Sequence, residues 1–237
     1  MFSNCMRLAT VLTFLLAAAP ARAEWTADLY GGGSHTPRSD FTMVIGSPSG
    51  PADHTFRDVK WDPSIEYGAR GGYWLESVPW LGFAVDVFRF DANVPTQSVD
   101  FTIAGAPDHG TLQAIDFSIL AIGLDARARM RLMSSFEYPR GRLQPYVTAG
   151  PALFRVKVTN RANSELTTEP ATDTALGYKV GAGVSWQIGR NAAIFGEYRY
   201  THFHAEPDLH GNITGARVPL LFDLDTHHLV AGASFSF

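Results

Sequence analysis

Residues 176–188 read LGYKVGAGVSWQI. Alternate positions, Leu176, Tyr178, Val180, Ala182, Val184, Trp186 and Ile188, are apolar. The positions between them, Gly177, Lys179, Gly181, Gly183, Ser185 and Gln187, are small, polar or charged. A period of two separates these sets onto opposite faces of a strand, which a helical period of 3.6 does not do. Tyr178 and Trp186 stand eight residues apart on the apolar face, about 26 Å along a strand at ~3.3 Å per residue. At a tilt of about 40° this projects to roughly 20 Å, close to the spacing of the aromatic girdles that border the lipid band of a membrane barrel. The apolar face is therefore expected to meet lipid, and the strand to belong to a transmembrane β-barrel.

The start of the chain agrees with export. Residues 1–23 read as a signal peptide, with Arg7 in a short leading region, an apolar run over 8–19 and Ala21-Arg22-Ala23 at the cleavage site. That run is too short to span a bilayer as a helix. Cleavage would leave residues 24–237 as one β-barrel domain and remove Cys5, the single cysteine, so a disulfide scaffold is excluded. It would also remove Arg7 and Arg22, two positive charges, taking the formal net charge from -4 to -6. An acidic chain of this kind is a poor nucleic-acid binder.

Outward from residues 176–188, the same alternation recurs over 24–34, 64–75, 81–87, 115–132, 193–204 and 228–237. Residues 143–158 make an eighth strand whose faces are unassigned, because Pro145 and Pro151 interrupt it and its polarity contrast is weak. Over 115–132 the phase changes. From Leu120 onward the apolar residues oppose Asp125, Arg127, Arg129 and Arg131, but residues 115–119 fit the other register. A bulge near Ile119, or a strand that leaves the membrane there, is expected. The intervening segments, 37–61, 76–80, 93–113, 134–142, 160–173, 189–191 and 205–222, alternate long and short, the rhythm of an even-stranded barrel with long outer loops and short periplasmic turns.

Gly68-Ala69-Arg70-Gly71-Gly72-Tyr73-Trp74, Trp80-Leu81-Gly82-Phe83, Gln144-Pro145-Tyr146-Val147, Glu197-Tyr198-Arg199-Tyr200 and the terminal residues 232–237 now form an ordered set. Together they resemble the bacterial outer-membrane β-barrel domain family, the small eight-stranded OmpA/OmpX-like proteins of Gram-negative bacteria. The resemblance covers essentially all of residues 24–237. It implies an all-β, antiparallel up-and-down barrel in the outer membrane, contact with lipid and lipopolysaccharide, and insertion by the outer-membrane assembly machinery through a last strand ending in Phe237. A monomer is expected. Trp25, Tyr67, Tyr73, Tyr178, Trp186, Tyr200, Phe235 and Phe237 are the expected aromatic girdle.

The inward face carries Glu66, Arg70, Asp86, Asp125, Arg127, Arg129, Arg131, Lys179, Glu197 and Arg199. An eight-stranded barrel is filled by its own side chains, so these charges are expected to pair as a plug; a narrow ion channel is the alternative. For Lys179 the candidate partners are Glu66, Asp86, Asp125 and Glu197.

All eight histidines fall in the long segments or at strand ends on the outer side. His202, His204, His210, His227 and His228 could together form a surface metal site, since alternate strand positions set two imidazoles on one face. Solvated loops collect polar residues of every kind, so no metal and no cofactor is expected. Some small outer-membrane barrels modify lipid A with a His, Ser and carboxylate group. Here His202, His204 and Glu206 have no serine within their strand, only Ser34 or Ser64 on others, and an enzyme is not expected. The outer segments hold Phe41, Met43, Val44, Ile45, Phe56 and residues 220–222, apolar surface that could contact a partner. The family includes adhesins and complement-resistance proteins, and a structural or surface-interaction role is the expected function.

Overall fold

The computed structural model describes residues 24–47, 50–160, 171–210 and 217–237. The signal peptide and most of the 160–173 connection lie outside them. The described residues contain thirteen strands and no helix: β1 (Glu24–His35), β2 (Ser39–Ser47), β3 (Gly50–Val59), β4 (Ser64–Trp74), β5 (Leu81–Asp91), β6 (Gln97–Ile103), β7 (Ala106–Leu112), β8 (Ile115–Arg129), β9 (Leu143–Asn160), β10 (Ala171–Gln187), β11 (Ala192–Ala205), β12 (Asp208–His210) and β13 (Arg217–Ser236).

Eight of them close a barrel in the order β1-β4-β5-β8-β9-β10-β11-β13, each antiparallel to its neighbours, with β13 returning to β1. A walk through paired residues runs Glu24, Trp74, Gly82, Arg127, Thr148, Gly181, Arg199, His228 and back to β1 at Ser34. The walk lands ten residues further along β1, so the shear is ten for eight strands, and the strands tilt strongly about the axis. The lipid-facing wall follows the alternation in the sequence. Leu29, Val85, Ile122, Leu124, Leu153, Leu176, Val180 and Leu229 all point outward and are exposed. Trp25 and Tyr73 pack in a tilted pair with ring centroids 4.9 Å apart at the end that carries the short connections, while Tyr67, Tyr178 and Tyr200 border the other end.

The strands are longer than a membrane needs. β13 has 20 residues and β9 has 18, whereas about 10 tilted residues cross the hydrocarbon layer. The surplus stands beyond the outer girdle, where its backbone groups still require partners. Two of the expected long loops supply them, and they are β-hairpins, not irregular loops. In segment 37–61, β2 pairs with the outer part of β13, with Phe41 opposite Phe222 and Met43 opposite Leu220, and β3 pairs with β2. In segment 93–113, β6 pairs with β3 and β7 pairs with β6. The barrel wall thus continues outside the membrane as a sheet.

This extension decides between the two alternatives for residues 115–119 in favour of a strand that leaves the membrane, and corrects the reading of a second stretch. β8 has no bulge at Ile119, because its pairing with β9 keeps one register from Ile115 to Arg129. Ile115, Phe117, Ile119 and Ala121 point inward like Asp125 and Arg127 below them. What changes is the chemistry of the interior, charged within the membrane and apolar above it. Four of the apolar residues of the outer segments are likewise not a free contact surface, while Val44, Phe56 and Leu221 are half-buried. Phe41, Met43, Leu220 and Phe222 are buried, between 1% and 5% exposed, with Trp61, Phe90, Phe117, Phe154 and Phe203 in one core. The side chain of Ile45 lies outside the described residues. The faces of β9 are now assigned: Gln144, Tyr146, Thr148, Ala152, Phe154, Val156 and Val158 point in, and Val147, Leu153, Arg155 and Lys157 point out.

Candidate functional site

The lumen is crowded because inward glycines leave room for large side chains from the facing strand. A Cβ on Gly68 would lie 2.5 Å from the Tyr30 hydroxyl, one on Gly82 2.6 Å from the Trp74 ring and one on Gly183 2.7 Å from Tyr146. These residues are glycine because the rings occupy the volume a side chain would need.

In this space the charges form a network through the middle of the lumen and a second cluster at its periplasmic end. Glu197 of β11 accepts hydrogen bonds from Arg70 Nη1 at 2.8 Å, Arg199 Nη2 at 2.8 Å and the Tyr146 hydroxyl at 2.7 Å. Arg70 Nε donates to Asp28 at 2.8 Å. Arg199 Nη1 donates to Glu66 and to the Tyr30 hydroxyl, both at 3.0 Å, and Tyr30 donates to Asp86 at 2.5 Å. Lys179 reaches Asp86 and, at 2.8 Å, Asp125. Toward the periplasmic end Arg129 pairs with Glu24 and lies 4.0 Å from the centroid of the Trp74 ring. Buried charges are tolerated only when paired and hydrogen-bonded in this way.

Nine of the ten sequence candidates, Glu66, Arg70, Asp86, Asp125, Arg127, Arg129, Lys179, Glu197 and Arg199, are buried here. Arg131 is not: it lies past the end of β8 at the periplasmic rim, with its side chain about a third exposed and 3.5 Å from Glu24. Of the four partners considered for Lys179, Asp86 and Asp125 are the ones it meets, while Glu66 and Glu197 pair with Arg199. Five members of the network were not among the candidates: Glu24, Asp28, Tyr30, Tyr146 and His228. Position parity alone assigns Glu24, Asp28 and Tyr30 to the inner face of β1, opposite Trp25 and Leu29. Tyr146 required the faces of β9.

His228 is the largest correction. It was grouped with the outer histidines, yet it points into the lumen on the parity opposite Leu229 and is 1% exposed. Its Nδ1 lies 2.5 Å from Glu66 and its Nε2 shares a hydrogen bond of 2.9 Å with Thr201. The order carboxylate, imidazole, hydroxyl is that of a nucleophile relay, but all three groups are at most 1% exposed and Phe90 covers the imidazole edge to face at 4.9 Å. Thr201 is enclosed within the lumen.

His202, His204 and His227 are on the outer surface. His202 and Asp225 meet at 2.7 Å, and His227 meets the Tyr198 hydroxyl at 2.6 Å. The two nitrogens of His204 are taken on opposite edges of the ring by Asp223 at 2.9 Å and Glu206 at 3.0 Å. The two carboxylates therefore do not converge on a common point. The side chain of His210 lies outside the described residues, and among the described residues no group of three or more His, Cys, Asp and Glu is arranged to hold a metal ion. Ser34 and Ser64 hydrogen bond to each other at 2.8 Å beside the lumen, on the other side of the wall from His202 and His204.

A closed eight-stranded wall with an apolar outer face between aromatic rings is the architecture of an outer-membrane barrel. The sequence model of the "Outer membrane protein beta-barrel domain" matches residues 8–237. The chain belongs to that family. Among solved structures it is similar to Neisserial surface protein A, with a TM-score of 0.51 and 18% identity over 93% of this chain and 100% of that one. It is also similar to the outer membrane protein OprG from Pseudomonas aeruginosa, with a TM-score of 0.56 and 13% identity over 91% and 96%. The outer membrane protease OmpT from Escherichia coli has a TM-score of 0.50 and 9% identity over 93% and 99%. No curated protein matches the sequence significantly. At these identities the likeness is one of fold, and membership of the family carries the location in the outer membrane.

Proposed function

We propose that this family member is a sealed outer-membrane barrel that acts as a rigid surface scaffold, presenting the sheet of β2, β3, β6 and β7 for interaction outside the cell, and that it is neither a channel nor an enzyme. The observation that carries this reading is the double closure of the lumen. Above the ion-paired layer, Trp61 packs on Phe117 at 5.3 Å, Phe117 on Phe222 at 5.4 Å and Phe222 on Phe203 at 6.4 Å between ring centroids. An aromatic layer over an ion-paired layer supports a lumen without an aqueous path, and the same layer joins the outer sheet to the barrel. Pre-organised surfaces bind without a large ordering cost.

Insertion through the last strand is part of the proposal. Leu229, Phe235 and Phe237 form an exposed outward row on β13 and its terminus, and Phe237 N donates to Trp25 O at 2.9 Å. The closed wall leaves no free strand edge within the membrane, which supports a monomer.

Planar bilayer recordings of the refolded protein test the sealed lumen: no stable conductance step is expected, and a reproducible single-channel step from the folded monomer would overturn it. The surface role is tested by comparing attachment of cells carrying the intact protein with cells whose β6–β7 hairpin is shortened, heat-modifiable migration confirming a folded barrel. Equal attachment would remove that hairpin from the proposed contact surface.

A further inference from the structure

We infer that the periplasmic half of the lumen is a binding site for a small monoatomic anion, of the chloride class, held by Arg127 and Thr26 in a polar cavity. The site goes beyond the proposed surface role and does not depend on it.

Arg127 is the lumen cation whose charge is not met. Arg70 donates to Asp28 and Glu197, Arg199 to Glu66 and Glu197, and Arg129 to Glu24, Gln144 and the carbonyl of Pro79. Lys179 reaches Asp86 and Asp125. The side chain of Arg127 is 7% exposed, and its one salt-bridge partner among the described residues, Asp28 Oδ2, stands 3.7 Å away and already accepts from Arg70 Nε at 2.8 Å. Arg127 Nε has no hydrogen-bond partner among the described residues. The rings of Trp74 and Tyr146 flank the guanidinium, with centroids 5.0 and 5.2 Å from its Cζ. They hold it in place without supplying a counter-charge. A buried ion left in this condition is costly, and a bound anion removes the cost.

Arg127 and Thr26 both line a cavity of about 30 Å³ at this end of the lumen. Thr26 Oγ1 is buried and, like Arg127 Nε, has no hydrogen-bond partner among the described residues. Gly72 has no side chain to separate the two groups: a Cβ there would lie 2.8 Å from Thr26 Oγ1 and 3.3 Å from Arg127 Nη1. A guanidinium and a hydroxyl free to donate are the donor set of an anion site. Two carboxylates are near. Glu24 lines the cavity, but both its oxygens accept from Arg129. Asp28 Oδ1 has no partner of its own, but Asp28 is not part of the cavity lining. A volume of this size takes one or two water-sized particles, so a halide fits and a phosphate does not. Ser185, Ser234 and Ser236 line the same cavity and are half-buried, which opens it toward the periplasm. Arg131 and Arg140 stand at that rim near Glu24, where exposed cations draw anions inward.

Crystals of the refolded protein grown in sodium bromide test the site directly. An anomalous difference peak within hydrogen-bond reach of Arg127 and Thr26 is expected, and a cavity holding water only would overturn the site. In solution, urea unfolding in lipid is compared in chloride and in gluconate at equal ionic strength, gluconate being too large for the cavity. The parent should be more stable in chloride, with a midpoint that rises with chloride concentration. Arg127→Gln should raise the chloride concentration at which the rise sets in by at least about tenfold, because a hydrogen bond to a charged group is lost. Thr26→Val should raise it roughly fivefold. Arg131→Gln, at the exposed rim, should change it far less than Arg127→Gln. Heat-modifiable migration checks that each variant folds, and the bromide crystals of the parent need no variant. Equal stability of the parent in the two salts, or a chloride response that survives Arg127→Gln unchanged, would each overturn the site.

Discussion

Lys179 and Asp125 meet at 2.8 Å in the middle of the lumen with both side chains fully buried. Lys179 is the cation that Asp125 and Asp86 share, and Asp86 has a second one in Arg199 at 3.4 Å. Lys179→Met strips Asp125 of its counter-charge, and breaking one side of a buried pair costs about 3–5 kcal/mol. Equilibrium urea unfolding in lipid should show that loss. Lys179→Met combined with Asp125→Leu should recover most of it, and a single variant within ~1 kcal/mol of the parent would mean the pair does not stabilise the barrel.

Phe117 ties the outer sheet to the barrel through Trp61 and Phe222. Phe117→Ala should cost about 3–5 kcal/mol. The loss should be concentrated outside the membrane, since the ion-paired layer lies below. Limited proteolysis on intact cells should cut the β2–β3 and β6–β7 hairpins of the variant faster while the membrane-embedded strands stay protected. Uniform protection would place the stability of the hairpins elsewhere.

β7 ends the extracellular sheet, and its exposed edge is guarded. Pro107 has no N–H to offer a further strand, and the N–H of His109 is already donated to Asp108 at 2.8 Å. Both are devices that stop sheets from adding neighbours. Pro107→Val with Asp108→Ala restores two edge donors. Self-association of the refolded protein, followed by light scattering, should rise, while heat-modifiable migration stays unchanged.

His204 lies beyond the outer aromatic girdle, two positions past His202 on the same outward face. Its hydrogen bonds to Glu206 and then to Asp223 hold its pKa above the usual histidine value. The folded protein therefore binds this proton more tightly than the unfolded chain. The resulting stabilisation is complete below the ordinary pKa of about 6.5 and fades as pH rises through the higher folded value. An NMR titration should place the His204 midpoint above that of an unstructured histidine and return it toward 6.5 in the variant Glu206→Gln, Asp223→Asn. Hydrogen exchange at the outer end of β11 should speed up over the same pH window.

The barrel was legible because lipid imposes a strict period of two on every strand that crosses it. Residues 176–188 show this at its clearest, and β10 indeed turns Tyr178 and Val180 outward and buries Lys179. Parity also identified nine lumen charges. For His228 parity points inward as well, since its neighbour Leu229 faces lipid, whereas the residue type points to an outer loop. β9 was unreadable because its inner face is apolar above the membrane and its outer face bears Arg155 and Lys157, so the polarity contrast inverts along one continuous strand.

What the sequence determined by itself is the set of constraints that act along a strand: the eight crossings, which side of each meets lipid, and which charges must share the lumen. Which charge pairs with which was decided only by the shear of ten. That stagger sets Arg70 of β4 against Glu197 of β11 across the lumen at 2.8 Å, 127 residues apart in the chain. The outer hairpins were decided the same way. Segments 37–61 and 93–113 have weak patterns of their own, and they become β2, β3, β6 and β7 because the protruding end of β13 offers β2 an unpaired edge and an aromatic core to cover. A backbone group without water or partner is costly, and that cost is met by pairing between distant segments, which local sequence does not record.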